Sequence, residues 1–414
     1  MTVTSIDIYD PDRYVAGVPH DVFDTLRAKS PVYYQEMPDE PGYWAVLNHA
    51  DVVYVAKHPN LFSASEGGVV LENLDAPNLA MMRDMLLAMD PPRHLDYRRP
   101  LLPSFKARVI GGLEGRIRTI CREIFDRVPE DGNVEFVHDV TSSLPSQVIG
   151  ELMGLPRDDW SKIHRWAEIQ TSGQDPELAN GDQDDPDQQE GGYANSAQSS
   201  SMRMALYAME LAAARRVAPP QEDLTTLILE SDFGGHHMTD ADFGSFFVQL
   251  VTAGNDTTKT MLASGLRALL DHPEQMAELR ADNKLIPHAV EEILRWANPL
   301  HYFRRTATED TELGGASIKA GDKVAMYYTA ANRDPAVFEN PHAFDIHRSP
   351  NPHLSFGIAE HFCLGVHLAR LEGRVFFEEL LATFPVIERT GEVKRTRSNL
   401  NNALKALPVR LVRG

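Results

Sequence analysis

Apolar positions recur at helical spacing most clearly after Thr239. Phe243, Phe246, Phe247, Leu250 and Val251 fall on one side of a helix that runs to Leu270 and stops at Pro273. Thr239, with Asp242 three residues on, reads as a capping-box start. At about 1.5 Å per residue a helix of this length crosses much of a domain. Its centre, Ala253-Gly254-Asn255-Asp256-Thr257-Thr258, consists of weak helix-interior residues. So many of them inside an apolar helix point to a local opening with a function, against the plainer alternative of a solvated kink. Val32-Tyr33-Tyr34 and Tyr43-Trp44-Ala45-Val46-Leu47 read as strands of a small sheet. The remainder is mostly helical, so the pattern predicts a mainly α fold with small β-sheets. Gly181 to Ser201 is polar and rich in Gly, Asp and Ser. It reads as an exposed, mobile insertion, after which Met202 to Arg216 resumes a helical pattern. No repeat is visible, and residues 1–414 read as one domain with a small β-rich N-terminal part and a large helical part.

With 43% hydrophobic and 24% charged residues, the composition is that of a soluble globular protein. No stretch approaches the roughly 20 uninterrupted apolar residues of a membrane span. Met1 to Asp10 has neither the basic flank nor the apolar run of a signal peptide. The two cysteines, Cys121 and Cys363, cannot build a disulfide framework, so a cytoplasmic location is expected. A formal charge of -20 argues against nucleic acid as a partner. The charge is uneven, because Arg93, Arg98, Arg99, Lys106, Arg108, Arg116 and Arg118 crowd a short stretch. Trp166 to Met202, by contrast, has no Lys or Arg at all. The basic stretch is either a docking face for an acidic partner or a solvated helix face.

Candidate chemistry centres on Cys363. It lies in His353-Leu354-Ser355-Phe356-Gly357-Ile358-Ala359-Glu360-His361-Phe362-Cys363-Leu364-Gly365, followed by a helix-like stretch. A thiolate presented to a flat cofactor needs a tight turn, hydrogen-bond donors and a helix start to stabilise its charge. The alternative is a buried structural thiol. Glu292 and Arg295 lie on one helix face and can pair, although i,i+3 pairs are common. After them come Arg305 and a segment from Asn332 to Arg348.

Together these segments resemble, in order and over almost the whole chain, a bacterial cytochrome P-450. The oxygen-activating motif of that family corresponds to Ala253–Thr258, its Glu-x-x-Arg pair to Glu292 and Arg295, and its meander to Asn332–Arg348. Its thiolate loop corresponds to Phe356–Gly365, and Asp90 to Arg98 resembles its His-x-x-x-Arg helix. The resemblance implies a fold with a long central helix over heme b, and Cys363 as the axial metal ligand. That thiolate donates electron density to iron and favours O–O cleavage. His94, Arg98, Arg305, His353 and His361 match propionate-binding positions, since two buried propionates need neutralising. Phe356, Gly365, Ala253 and Gly254 match positions beside the cofactor. Asp256 and Thr257 match the acid–alcohol pair that delivers protons to dioxygen, while Glu292 and Arg295 match a structural pair. One departure is Ala359, where the family usually has Gly and sometimes Asp. If that position needs positive φ, alanine costs about 1 kcal/mol.

Within the family the chain is most similar to hydroxylases of sterol side chains and branched or isoprenoid lipids. Ser172–Glu177, Arg348–His353 and Arg397–Asn402 carry that likeness. By position, Val69, Val70, Gln249, Thr252, Leu300, His301, Tyr302, Leu400 and Asn401 line the substrate pocket. Gln249, His301 and Asn401 add polar grips to an apolar cavity, with a packing role as the alternative for His301. The resemblance implies O2 as cosubstrate and a hydrophobic small molecule as substrate. It also implies NAD(P)H acting through a ferredoxin reductase and a separate ferredoxin. The chain's cysteines cannot supply an ordinary iron–sulfur cluster of its own. Arg93, Arg99, Lys106, Arg108 and Arg374 form the expected positive patch for an acidic ferredoxin. A peroxide-driven heme peroxygenase and a non-catalytic heme sensor or carrier are the alternatives. The Asp256–Thr257 pair argues against both.

Overall fold

The computed structural model describes residues 6–171, 174–179 and 197–414. The helices that frame the site are α1 (Arg93–Arg98), α2 (Ser143–Leu152), α3 (Trp160–Thr171), α4 (Ala197–Val217), α5 (Asp240–Asp271), α6 (Ile286–Ala297) and α7 (Val366–Thr383). Helix α5 has 32 residues and opens with the expected capping box. The Asp242 N–H donates to Thr239 Oγ1 at 3.2 Å, and the Thr239 N–H donates back to Asp242 Oδ2 at 2.9 Å. One flank of α5, through Phe243, Phe246 and Phe247, packs with Met204, Ala205 and Ala208 of α4. Gly244 permits the close crossing, since a Cβ there would meet the Ala205 carbonyl at 3.0 Å. The C-terminal half packs into the largest core cluster with α6 and α7. No helix among the described residues is long and apolar enough to cross a membrane.

The polar insertion expected over 181–201 lies outside the described residues up to 196. Its last five residues are not loop: they form the first turns of α4, with Ser200 and Ser201 buried. Serine is tolerated in a first helical turn, and packing outweighs its weak interior propensity.

A five-stranded sheet stands to one side: β1 (Val32–Met37), β2 (Glu40–Val46), β3 (Phe62–Ser63), β4 (Tyr302–Ala307) and β5 (Lys323–Tyr327), in the order β1-β2-β5-β4-β3. The expected N-terminal strands pair as a hairpin, Val32 opposite Val46, and β5 joins β2 in parallel. Because side chains alternate along a strand, Phe303 and Arg305 of β4 share the face opposite Tyr302 and Arg304. Tyr302 turns into the N-terminal core with Tyr43 and Tyr327, while Phe303 packs with Ala64, Val69 and Ala88.

Behind the site, Glu292 and Arg295 of α6 are fully buried and paired at 2.7 Å. Arg295 also donates to the carbonyls of Asn332 (2.9 Å), Pro341 (2.8 Å) and Ala343 (2.9 Å). Glu292 accepts from the Asp345 N–H at 2.9 Å and from Arg348 Nε at 3.2 Å. The Asn332 amide then carries the connection onward, to the Leu354 N–H at 2.7 Å and Ser355 Oγ at 2.9 Å. A pair that sequence spacing could offer only as one of many surface pairs is thus the tie between α6, the irregular 332–348 segment and the cysteine loop. Arg295→Met leaves Glu292 buried without its main cation and is expected to cost about 3–5 kcal/mol. The check is the denaturant midpoint; a loss below about 1 kcal/mol would mean a pair no stronger than a surface one.

Candidate functional site

Cys363 sits at the end of a loop that folds back on itself, its N–H donating to the Phe356 carbonyl at 2.8 Å. The reversal uses left-handed backbone at Gly357 (φ +67) and at Ala359 (φ +59). The position where alanine replaces the usual glycine does require positive φ, and Ala359 adopts it. Burial pushes the Cys363 thiol up, while a hydrogen bond from the Gly365 N–H and the charges of Arg98 and Arg370 pull it down. The sulfur is half-buried, and Cys121 is wholly buried in the core of another helix.

Beside this loop the structure collects four of the expected propionate residues. The His94 and His361 rings stand 4.4 Å apart. Arg98 donates to the Phe362 carbonyl at 2.6 Å, and Arg305 reaches in from β4. Burial, then the neighbouring arginines, depress His94 to about 4; burial, Arg305, His94 and Arg98 depress His361 to about 2. The Nε2 atoms of both histidines are buried without a hydrogen-bond partner. The carboxylate felt by His94 and Arg305 is Asp90, whose oxygens are taken by Ser63, Ser65 and the Ala64 N–H. Among the described residues no acid pairs with Arg98 or Arg305. One buried guanidinium group (Arg305), one half-buried (Arg98) and two orphaned ring nitrogens next to a thiol fit a bulky dianion that takes a sulfur ligand, as heme would. No group of His, Cys, Asp and Glu among the described residues holds a metal ion without such a cofactor.

His353 stands apart from this cluster. Its Nε2 lies 3.2 Å from Glu291 Oε2, and Arg370 clasps the same carboxylate at 2.7 Å while lying over the Phe356 ring. The expectation that it meets a propionate is corrected: it braces the loop from behind, because residues 353–355 are drawn toward α6.

The middle of α5 carries the remaining expected catalytic residues. Ala253 is exposed within an otherwise packed helix, and Gln249, Thr252 and Thr257 are half-buried on the same side. The Thr257 hydroxyl donates to the Ala253 carbonyl at 2.7 Å. Gly254 looks elsewhere, as a Cβ there would lie an ordinary 3.5 Å from Ile149 of α2. Asp256 is buried and paired with Lys259 at 2.8 Å, and Lys259 also reaches Glu168 of α3 at 3.0 Å. His164 flanks Glu168 at 3.6 Å and meets the Asn255 amide at 2.7 Å. Lys259 holds Glu168 down at about 2 despite its burial, and the two acids raise the lysine.

The pocket residues separate into two sets. Val69 is buried with Ala64 and Ala88, Leu400 packs against the N-terminal core, and Val70 and Leu300 are half-buried, with Leu300 bridged to Asn401. His301, Tyr302 and Asn401 depart from expectation. His301 is wholly buried, 4.6 Å from the Tyr14 ring and 2.9 Å from Thr329 Oγ1, and burial depresses it to about 3. It is a packing histidine. Tyr302 faces the N-terminal core, and the Asn401 amide is spent on the Thr171 carbonyl at 2.5 Å. Three residues were not foreseen. Phe303 follows from alternation once Arg305 faces the cluster, and Lys259 follows from i,i+3 spacing to Asp256. Glu168 meets Lys259 only through the α3–α5 crossing, which no local spacing reveals.

The expected surface patch also contracts. Arg374 is paired with Glu114 at 2.6 Å and Glu378 at 3.0 Å, and Arg93 with Asp84 at 2.7 Å. Arg99, Lys106 and Arg108 remain exposed and have no ion pair among the described residues. Exposed Leu95, Leu102 and Phe362 lie in the same segments.

A family model described as Cytochrome P450 matches residues 201–411. The steroid C26-monooxygenase of Mycolicibacterium smegmatis is 35% identical, covering 97% of this chain and 92% of its own. A methyl-branched lipid omega-hydroxylase of Mycobacterium bovis is 36% identical, covering 94% and 90%. Among solved structures, a Mycobacterium marinum cytochrome P450 in complex with pseudoionone matches with a TM-score of 0.89 and 35% identity over 99% of both chains.

Among the described residues, one buried acid of α7 has no cation beside it. Glu372 of α7 has an unpartnered Oε2, and burial raises it from 4.5 to about 8. The folded protein keeps a proton there that the unfolded chain releases above pH 4.5. This group's contribution to stability therefore falls as pH rises from 4.5 to about 8. Glu372→Gln is expected to flatten that fall in urea-midpoint measurements across the window. An unchanged slope would mean that Glu372 ionises freely in the folded state.

Proposed function

The chain belongs to the cytochrome P450 family and is a monooxygenase, and from that premise we propose that it inserts one oxygen atom of dioxygen into a C–H bond of a sterol, steroid, terpenoid or branched lipid. Electrons come from NAD(P)H through a ferredoxin reductase and a separate ferredoxin. The observation that carries this reading is the pairing of a loop-held cysteine and an unneutralised basic cluster with an open face in mid-α5. The relatives named for steroid and methyl-branched lipid hydroxylation support the substrate range.

When bound, heme b supplies the reductive activation of dioxygen. Cys363 would supply its sulfur ligand, and His94, Arg98, Arg305 and His361 would hold the propionates. Thr257 spends its hydroxyl proton on the Ala253 carbonyl, which leaves its oxygen free to accept a hydrogen bond on the open side. Asp256 is the acid that feeds protons to that side. Its carboxylate is held by Lys259 at 2.8 Å, so delivery requires it to turn away from the lysine. Glu168 keeps the Lys259 charge paired during that turn. Arg99, Lys106 and Arg108 attract the acidic ferredoxin and raise its on-rate.

Cys363→Ala should abolish the thiolate-type spectrum of the reduced carbon-monoxide complex, and Cys121→Ala should keep it. The reverse pattern would overturn the ligand assignment. In Thr257→Ala, substrate binding and NADH oxidation should persist while a larger share of electrons ends as peroxide. In Asp256→Asn, turnover should slow. Unchanged coupling in the first and unchanged rate in the second would remove both roles.

A further inference from the structure

A groove that the Cys363 site does not use lies between the helix Glu114–Phe125, α2 and the short helix Leu224–Glu230. It holds about 570 Å³, which falls in the range of small-molecule sites. Its floor is apolar: Ile117, Ile120, Val148 and Leu224 are all buried. Val109 stands at its edge and is 53% exposed. An exposed valine beside an apolar floor is surface that an apolar occupant gains by covering. Helix α2 separates this groove from the middle of α5. Val148 and Leu152 line the groove, while Ile149 between them lies against Gly254 of α5. None of His94, Arg98, Arg305, His361 and Cys363 lines it.

The charges around the groove are of two kinds. Some are spent within the chain. Arg116 donates from Nε to both oxygens of Glu151, at 2.8 and 2.9 Å. Asp223 accepts from Arg215 at 2.6 Å and from the Thr226 N–H at 2.8 Å. Glu222 and Glu230 also line the groove, but both are exposed and have no ion pair among the described residues. One lies just before the helix Leu224–Glu230 and the other ends it. The unspent charge of the groove is therefore only negative. We propose that the groove is a second ligand site, for an apolar cation whose alkyl or aryl body covers the floor and whose ammonium meets the Glu222–Glu230 rim. A fatty acid or sulfated lipid brings like charge to both carboxylates, and a neutral alcohol leaves them unpaired. Exposed carboxylates attract an ammonium only modestly, and salt weakens the attraction. The apolar floor thus carries most of the affinity, and the two acids select the sign of the charge. Occupancy is independent of the Cys363 site, because α2 stands between them.

The test uses the holoenzyme and three probes of one chain length, each below its micelle concentration: decyltrimethylammonium, decanol and decyl sulfate. A quaternary nitrogen has no lone pair for iron, so coordination cannot be mistaken for binding in the groove. Calorimetry gives each Kd, without and with clotrimazole, whose binding to iron is read from the Soret band. The ammonium is expected to bind about fivefold tighter than decanol, with decyl sulfate weakest and clotrimazole without effect on its Kd. Glu222→Gln/Glu230→Gln is expected to bring the ammonium to the affinity of decanol. Glu36→Gln/Glu309→Gln removes two exposed carboxylates elsewhere and is expected to leave its Kd unchanged, which separates the groove from the overall charge of -20. Val109→Trp at the groove's edge is expected to weaken all three probes about tenfold. If Val109→Trp does not retain heme, the two glutamine pairs decide. Equal affinity of ammonium and decanol, equal losses in the two glutamine pairs, or displacement by clotrimazole overturns the proposal. So does a folded Val109→Trp variant that binds the ammonium as the parent does.

Discussion

Positive charge buried with no protein carboxylate to balance it is the constraint from which the rest of the site follows. His94 and Arg98 come from α1, Arg305 from β4 and His361 from the cysteine loop, and they converge from three separate parts of the chain. The two histidines escape the penalty by shedding their protons. The two arginines cannot, because a guanidinium stays charged in a protein. Asp90, the nearest acid, is already held by two hydroxyls and a backbone N–H. Burying such charges is unfavourable unless they are paired. The arrangement is stable as a binding site for a dianion and strained as an empty core, which is how a cofactor-dependent fold should look.

The opposite problem is solved within the chain on either side. Behind the loop, Glu292, Arg295 and Arg348 form a closed buried network, and Asn332 passes its rigidity to Leu354 and Ser355. Glu291 takes His353 and Arg370 in the same manner. Beyond α5, Lys259 is shared by Asp256 and Glu168. These charges have protein partners, whereas no acid among the described residues pairs with Arg98 or Arg305 beside the cysteine.

Much of this was legible along the chain, for identifiable reasons. Helix α5 announced itself by periodicity, a capping box and a stop at proline, all of them local. Ala359 could be flagged because positive φ is a backbone demand that only a few residues meet cheaply. His301, Tyr302 and Asn401 were misassigned because proximity in sequence to Arg305 or to the C-terminal turn does not say which face of β4 a side chain takes. One position along a strand reverses the answer: Phe303, not Tyr302, shares the face of Arg305. His353 was drawn to the basic cluster by its residue type, whereas Glu291 claims it through a contact between α6 and the loop. The start of α4 was hidden by a serine-rich composition that packing overrode.

The central claim is that the buried basic cluster is held by two carboxylates that heme brings. The most direct measurement compares thermal stability and cofactor retention after reconstitution with heme b and with its dimethyl ester, which keeps the ring and iron and removes both charges. The account predicts strong stabilisation by heme b, and weak retention with little stabilisation by the ester. Equal stabilisation by the two would contradict it, because the cluster would then have no need of the propionates.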